Sequence, residues 1–171
     1  RLILRPIEPS DLEDLYAFHR QPNVCPSAGW KPHENRAETW AVLQEMFFDR
    51  PSMFGIVWRE TGRMIGQIGL VEDPKRENPD AGMLGYAIRE DFWNRGIVTE
   101  ATRAVVAYGF LQRRLMLISA YCYPENHASR RVLEKCGFHY EGTLTLCERR
   151  YDGKIFDNEC YSIGCAEWSG R

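Results

Sequence analysis

The order of segments along this chain predicts an α+β fold, a mixed sheet with helices on its faces, and three observations carry that expectation. Strand-like segments follow one another at 53–60, 63–72 and 82–90 ("MFGIVWRE", "RMIGQIGLVE" and "GMLGYAIRE"), separated by turn residues. Segments with helical spacing of apolar residues precede and follow them. The 171 residues, 44% hydrophobic and 27% charged, suit one hydrophobic core, so a single domain is expected over residues 1–171.

Each element has its own signal. "RLILRPI" alternates like a strand, and Pro9 and Ser10 then open a helix with Leu12, Leu15, Tyr16 and Phe18 at helical spacing. "ENRAETWAVLQEMFFDR", residues 34–50, reads as a second helix stopped by Pro51. The three strands that follow form an antiparallel meander, connected by Thr61-Gly62 and by the loop "EDPKRENPDAG" at 72–82. After Gly96 a helix lines Val98, Ala101, Val105 and Gly109 on one face, and "LISAYCY" at 117–123 is the next strand. Asn126 starts a shorter helix with Ala128, Val132 and Cys136 inward and Gly137 as a left-handed cap. Two strands, "FHYEGTLTLCERR" and "KIFDNECYSIGC", close the chain around the hairpin signal "YDG".

Composition narrows the function. A net charge of −2 excludes a general polyanion-binding surface, because nucleic-acid affinity rests on Lys and Arg neutralising many phosphates. No uncharged apolar run approaches the roughly 20 residues that cross a bilayer, and the start lacks a signal-peptide pattern, so a soluble, cytoplasmic protein without membrane partners is expected. The cysteines at 25, 122, 136, 147, 160 and 165 form neither a Cys-x-x-Cys pair nor a disulfide framework, which favours reduced thiols. The histidines at 19, 33, 127 and 139 form no ligand cluster, so no metal is expected.

The stretch "EDFWNRGIVTEA", residues 90–101, turns on Gly96 and opens a helix with Thr99 and Glu100 in its first turn. The first N–H groups of a helix have no intrahelical partners and sit at the positive end of its dipole, which makes this turn a place for an anion.

Four segments in the right order carry a resemblance: "RLILRPIEPSDLEDL", "LGYAIREDFWNRGIVTEA", "NHASRRVLEKCGFHYEG" and "DNECYSI". They span nearly the whole chain, and the third is the most specific. On these motifs the sequence resembles the GNAT superfamily of acetyl-CoA-dependent N-acetyltransferases, and within it the ribosomal-protein N-terminal (alanine) acetyltransferase group. The resemblance implies a GNAT-like fold: a central, mostly antiparallel sheet with one parallel pair splayed at the cofactor cleft, and helices on both faces.

It also assigns residues. Arg95, Gly96, Ile97, Val98 and Thr99 would offer backbone N–H groups to the pyrophosphate of acetyl-CoA. Backbone groups near Tyr86 and Ile88 would hydrogen-bond the pantetheine arm, and one N–H would polarise the thioester carbonyl. Asn126 is expected as a helix N-cap, a contact to the pantetheine region, or both. Arg131 matches a family position beside the cofactor, and Arg130 or Lys135 would meet the 3′-phosphate unless they simply form a solvated helix face. Two places depart from the superfamily pattern. Trp93 holds the first position of the turn, as is familiar in the N-terminal acetyltransferase group. Val98 replaces a small residue at the last, where it either weakens cofactor affinity or points into the core.

Transfer needs a neutral amine and a protonated leaving thiol. The position of the usual family tyrosine is Leu133 here, and Ser129 matches the serine proposed as thiol-proton donor in the N-terminal group, best read as a hydrogen-bonding group to the sulfur. The base stays open among Glu72, Asp73, Glu100, Glu141, Glu148 and Asp157, with Glu100 expected to face away from a pyrophosphate. The acceptor site would come from the two N-terminal helices, the loop at 22–36 and the "RRYDGK" turn, with Trp30 and Trp40 lining it or belonging to the core. The leading expectation is transfer to a primary amine, a protein or peptide N-terminus, by a monomer or homodimer. Acetylation of a polyamine, an aminoglycoside or an amino acid, and a non-catalytic acyl-CoA-binding module, are the alternatives.

Overall fold

In the computed structural model, which describes residues 1–48 and 50–170, the elements follow the predicted order. Strand β1 is Leu2–Arg5, helix α1 Leu12–His19 and helix α2 Arg36–Met46. Then come β2 (Met53–Trp58), β3 (Met64–Glu72), β4 (Ala81–Ile88), α3 (Ile97–Leu111), β5 (Leu117–Cys122), α4 (His127–Lys135), β6 (His139–Arg149) and β7 (Ile155–Gly164). The strands form one seven-stranded sheet in the order β1-β2-β3-β4-β5-β7-β6. Antiparallel ladders join β1 to β2, β2 to β3, β5 to β7 and β6 to β7, while β4 and β5 are parallel, as expected. Among the described residues no helix is long and apolar enough to cross a membrane.

Two compact units divide the chain, Arg1–Gly69 with Tyr86–Ile97, and Leu70–Gly85 with Val98–Arg171. The first buries Leu15 and Phe18 of α1 with Leu43 of α2, Val57 and Met64, and each such side chain contributes about 1.5–3 kcal/mol. Trp30 and Trp40 pack partly buried against this cluster, which supports their core reading. Carboxylates fix the approach to α1. Asp11 accepts from Arg5 Nη1 and Nη2 at 2.7 and 2.6 Å and from the Glu8 N–H, while Asp14 accepts from Arg63 Nε and from the Met64 N–H at 2.9 Å. Pro9 does open the helix, through a single 3₁₀ turn over Pro9–Asp11. Asn35 caps α2 by accepting from the Glu38 N–H, and the Glu38 carboxylate in turn accepts from the Glu34 N–H.

The second helix is shorter than its sequence signal. It ends at Met46, because the N–H groups of Phe47 and Phe48 both reach the Leu43 carbonyl and Phe47 turns into the core. Pro51 therefore does not stop it, and Asp49 of the predicted segment lies outside the described residues.

In the second unit α3 buries Ala101, Thr102, Val105, Val106 and Phe110, with Val98 only half-buried. A Cβ at Gly109 would come within 2.8 Å of Leu70 and Ile118 side-chain carbons, so glycine sets the close approach of α3 to the strands. The inward side of α4 differs from the expectation: Leu133 is fully buried, Ser129, Val132 and Cys136 are half-buried, and Ala128 is exposed. The stripe is 129, 132, 133 and 136, the spacing of one helical face. Gly137 has φ +85° and serves as the predicted cap, and Gly153 (φ +79°) turns the β6–β7 hairpin with its N–H on the Arg150 carbonyl.

A buried imidazole gives the first unit a pH-dependent term. His19 Nε2 pairs with Gln67 Oε1 at 3.0 Å, and its Nδ1 has no hydrogen-bond partner among the described residues. Burial, joined by the charge of His33, holds its pKa down at about 4 against the Gln67 hydrogen bond. The unfolded ring titrates near 6.5, so the folded state binds fewer protons between these values. Stability is full above pH 6.5 and is lost as the pH falls toward 4, by about 3 kcal/mol from this group. Urea unfolding at pH 7 and pH 4.5 should show that loss, and His19→Gln should remove this share of the pH dependence.

Candidate active site

The strand–turn–helix passage around Gly96 is built from β4 outward. The Arg89 N–H donates to the Ile65 carbonyl of β3 at 2.9 Å, and a Cβ at Gly66 of β3 would collide with the Ala87 carbonyl oxygen. Residues 87 and 89 thus direct their backbone groups toward β3, and strand alternation directs those of Tyr86 and Ile88 to the opposite edge. On that edge the Ile88 carbonyl accepts from the Trp93 indole Nε1–H at 3.1 Å. Trp93, the departure from the superfamily turn, therefore ties the turn back to the end of β4. A 3₁₀ turn at Glu90–Phe92 follows β4, held by the Gln21 side-chain carbonyl on the Glu90 N–H and by Asn23 on the Glu90 carboxylate.

Two left-handed residues then reverse the chain, Asn94 at φ +58° and Gly96 at φ +70°. Asparagine is among the residues that tolerate this region, and sequence reading had singled out only the glycine. A Cβ built on Gly96 would meet one atom within 4 Å, Arg1 Nη2 at 3.9 Å, so the space beside this glycine is open. Arg1 Nη1 donates to the Arg95 carbonyl at 3.0 Å, which brings a guanidinium to the turn. The Arg95 side chain lies over the Phe92 ring, and the Ile97 side chain is buried, so these residues have backbone groups rather than side chains to offer an anion. Thr99, half-buried, receives the Cys136 thiol on its carbonyl at 3.6 Å.

Strand β4 contributes a second feature, in which only Gly85 was not singled out from the sequence. Among the described residues its parallel ladder with β5 runs only from Ala81↔Leu117 to Met83↔Ser119, leaving Leu84 and Gly85 outside it. Gly85 is exposed, and a Cβ there would meet nothing within 4 Å. A strand-interior glycine beside open space is where another extended chain can approach the backbone.

At the other end of β5, the Asn126 side chain accepts from the Ser129 N–H at 3.1 Å, which establishes its N-cap role. Arg130 holds the same turn: it donates to both oxygens of Glu159, at 3.0 and 2.6 Å, and to the Pro124 carbonyl. That pairing gives the Arg130 guanidinium a structural partner on β7. Arg131 is exposed, and the Lys135 carbonyl accepts from Arg103. Burial and the Glu159 charge push the Cys122 thiol up to about 11, against Arg130 and a hydrogen bond with Ser129. Ser129 thus faces a protonated thiol on β5. Leu133, at the place of the usual tyrosine, is a core residue.

The candidate bases separate by their partners. Asp73, 2% exposed, accepts from Ser119 Oγ at 2.5 Å, Tyr121 OH at 2.8 Å and the Lys75 N–H at 2.9 Å, with Arg76 Nε at 3.2 Å. Burial raises its pKa, but these donors outweigh that and hold the carboxyl below the ordinary value. Glu141 pairs with Arg76 and accepts from Ser162, and Asp157 accepts from the Leu146 N–H. Glu72 is exposed and Glu100 half-buried. Glu148 accepts from Tyr123 OH at 2.5 Å. The "RRYDGK" turn is ordered around Arg150, which pairs with Asp152 and lies over the Phe156 ring.

These residues build three features: the positive-φ turn before α3, the short parallel ladder of β4, and the Asn126-capped start of α4.

The sequence matches the family described as acetyltransferase (GNAT) domain over residues 1–139. An uncharacterized N-acetyltransferase of Bacillus subtilis, YoaA, is 32% identical, with 95% of this chain and 93% of that protein covered. The structure resembles spermidine N-acetyltransferase from Vibrio cholerae, in complex with CoA and spermine, with TM-score 0.81 and 20% identity over 97% of this chain and 96% of that one. Ribosomal-protein-S5-alanine acetyltransferase from Vibrio fischeri gives TM-score 0.74 and 23% identity over 97% and 94%.

The partner count of Asp73 yields a direct expectation. Asp73→Asn removes the charge that orders Ser119, Tyr121 and Arg76, and should cost about 2–4 kcal/mol. Thermal unfolding should report that loss, while the pH profile of any turnover should keep its shape; a lost acidic limb with unchanged stability would restore Asp73 as a base.

Proposed function

The chain belongs to the GNAT acetyltransferase family, and from that premise we propose that it acts as one domain over residues 1–171, in the cytoplasm, to acetylate a peptide or protein N-terminus. The acetyl donor is acetyl-CoA, as in the family. The observation that carries the cofactor assignment is Gly96. Its positive φ turns the chain into α3, and the open space at its Cβ position would be filled by any other residue. The backbone N–H groups of Arg95 to Thr99 bind and orient the pyrophosphate. The N–H groups of Tyr86 and Ile88, on the edge of β4 away from β3, align the pantetheine arm and polarise the thioester carbonyl. Asn126 and Arg131 complete the cofactor contacts from α4, with Asn126 also holding Ser129 in the first turn.

Ser129 donates a hydrogen bond to the leaving sulfur. The amine attacks directly, a reading supported by the protonated state of the buried Cys122 and half-buried Cys136 thiols, both pushed up to about 11 chiefly by desolvation. The protein works as a monomer or homodimer. A polyamine acceptor is the second reading, motivated by the structural relative that acts on spermidine. A module that binds acyl-CoA without turnover is a third, motivated by Val98 and the missing tyrosine.

Calorimetric titration with acetyl-CoA should show saturable binding that Gly96→Trp abolishes. Thiol release should then follow addition of an alanine-initiated peptide and stay at background with spermidine; the reverse pattern selects the polyamine reading, and binding without release under either selects the non-catalytic one. Absence of binding at millimolar acetyl-CoA overturns all three.

Ser129→Ala is expected to lower kcat by about 10-fold or more while leaving acetyl-CoA affinity within about 2-fold. Unchanged kcat removes Ser129 from the mechanism.

A further inference from the structure

Glu148 and Tyr123 form a pair whose placement fits a task that Asp73, Glu141 and Asp157 do not. Tyr123 directly follows β5, and its carbonyl accepts from the Asn126 N–H at 2.9 Å, so it leads straight into the turn that carries Ser129. Alternation along β5 puts the side chains of Tyr121 and Tyr123 on one face of the sheet and Cys122, the neighbour of Ser129, on the other. A thiol that leaves beside Ser129 and an amine that approaches from the opposite face would therefore meet different side chains of the same strand. The Tyr123 ring packs on Phe156 of β7 at 4.9 Å and is 8% exposed, which leaves its hydroxyl one direction, onto Glu148 Oε1.

Glu148 itself sits where β6 leaves regular register with β7, between Leu144 and Glu148, and is half-buried. Its Oε2 makes no hydrogen bond among the described residues. Asp73 has three hydrogen-bond donors and an ion pair on its carboxylate, Glu141 holds Arg76 and Ser162, and Asp157 holds a backbone N–H. The charged groups around the pair are Arg150 and Asp152 of the hairpin turn, which bond to each other at 2.6 Å, and the Tyr123 phenol stays protonated because burial and the Glu148 hydrogen bond push its pKa up.

We propose that Glu148, oriented by Tyr123, receives the ammonium group of the acceptor and takes its proton. This assignment rests on the acetyl-transfer reading above. The step balances as follows. The ammonium passes one proton to Glu148 Oε2, and its freed electron pair forms the new N–C bond at the acetyl carbon. The C–S bond breaks with its electrons on sulfur. The second proton of the attacking nitrogen ends on the thiolate, and Glu148 returns its proton to solvent. Tyr123 transfers no proton; as a donor to Oε1 it aims Oε2.

The test uses the full chain, acetyl-CoA, and whichever of an alanine-initiated peptide or spermidine the unaltered protein acetylates, with kcat measured at saturating amine from pH 5 to 9. Glu148→Gln should lower kcat by about 100-fold or more and erase its acidic limb. Tyr123→Phe, which removes the hydrogen bond to the carboxylate, should retain the acidic limb and lower kcat by a smaller factor, about 10-fold, with KM for the amine within about 2-fold. Both variants should bind acetyl-CoA within about 2-fold of the unaltered protein, which also shows that they fold. Glu148→Gln with unaltered kcat and limb overturns the assignment alone, as does Tyr123→Phe with unaltered kcat. If neither amine is acetylated by the unaltered protein, the transfer reading fails and takes this assignment with it. A Glu148→Gln chain that no longer binds acetyl-CoA would assign Glu148 a structural role and overturn the proposal.

Discussion

The backbone groups of β4 set the terms for the rest of the structure. A strand inside a sheet normally satisfies its N–H and C=O groups on both edges, since leaving them unpaired and buried is costly. Here the parallel ladder with β5 spans three residue pairs and then stops, while Gly85 faces open space. The carbonyl of Ile88 is satisfied by an indole rather than by a strand. An extended molecule with amide groups of its own, the pantetheine arm in the function proposed above, would suit such an edge.

Holding one edge of a strand open requires firm attachment elsewhere. On β3 the Arg89 N–H and the close approach of Gly66 to the Ala87 carbonyl supply it. On β5 the full-length ladder with β7 does the same, reinforced by Asp73, which gathers Ser119 and Tyr121 of that strand. The buried carboxylate there is an organiser of strand side chains, because three donors and the Arg76 guanidinium converge on it. Arg130 plays the matching part for α4, with its guanidinium fork closed on Glu159 of β7. Both are charges removed from chemistry by being used for position.

Much of this was legible in the residues. The alternating and helical periodicities located every strand and helix, and the glycine before "IVTEA" marked the anion turn. Less was visible where two side chains of the same kind do different work. Asp73 and Glu148 both follow or lie in strands, and nothing local distinguishes a carboxylate with three donors and an ion pair from one with a single phenol. The inward face of α4 was displaced because the spacing 128, 132, 136 and the spacing 129, 132, 133, 136 are both helical, and Leu133 chose between them by its burial. The end of α2 was displaced because Phe47 gains more by entering the core than by extending the helix toward Pro51.

By itself, then, the amino-acid order determined the identity and succession of the elements, the family, and the positions where only glycine fits, since these depend on local periodicity and on backbone angles that a short stretch encodes. Tertiary structure alone decided which carboxylates gather several partners and which hold one, and where the parallel ladder stops. The reason is physical: the partners at 123, 119 and 130 of the carboxylates at 148, 73 and 159 lie tens of residues from them along the chain, and burial and pairing exist only after the strands have come together.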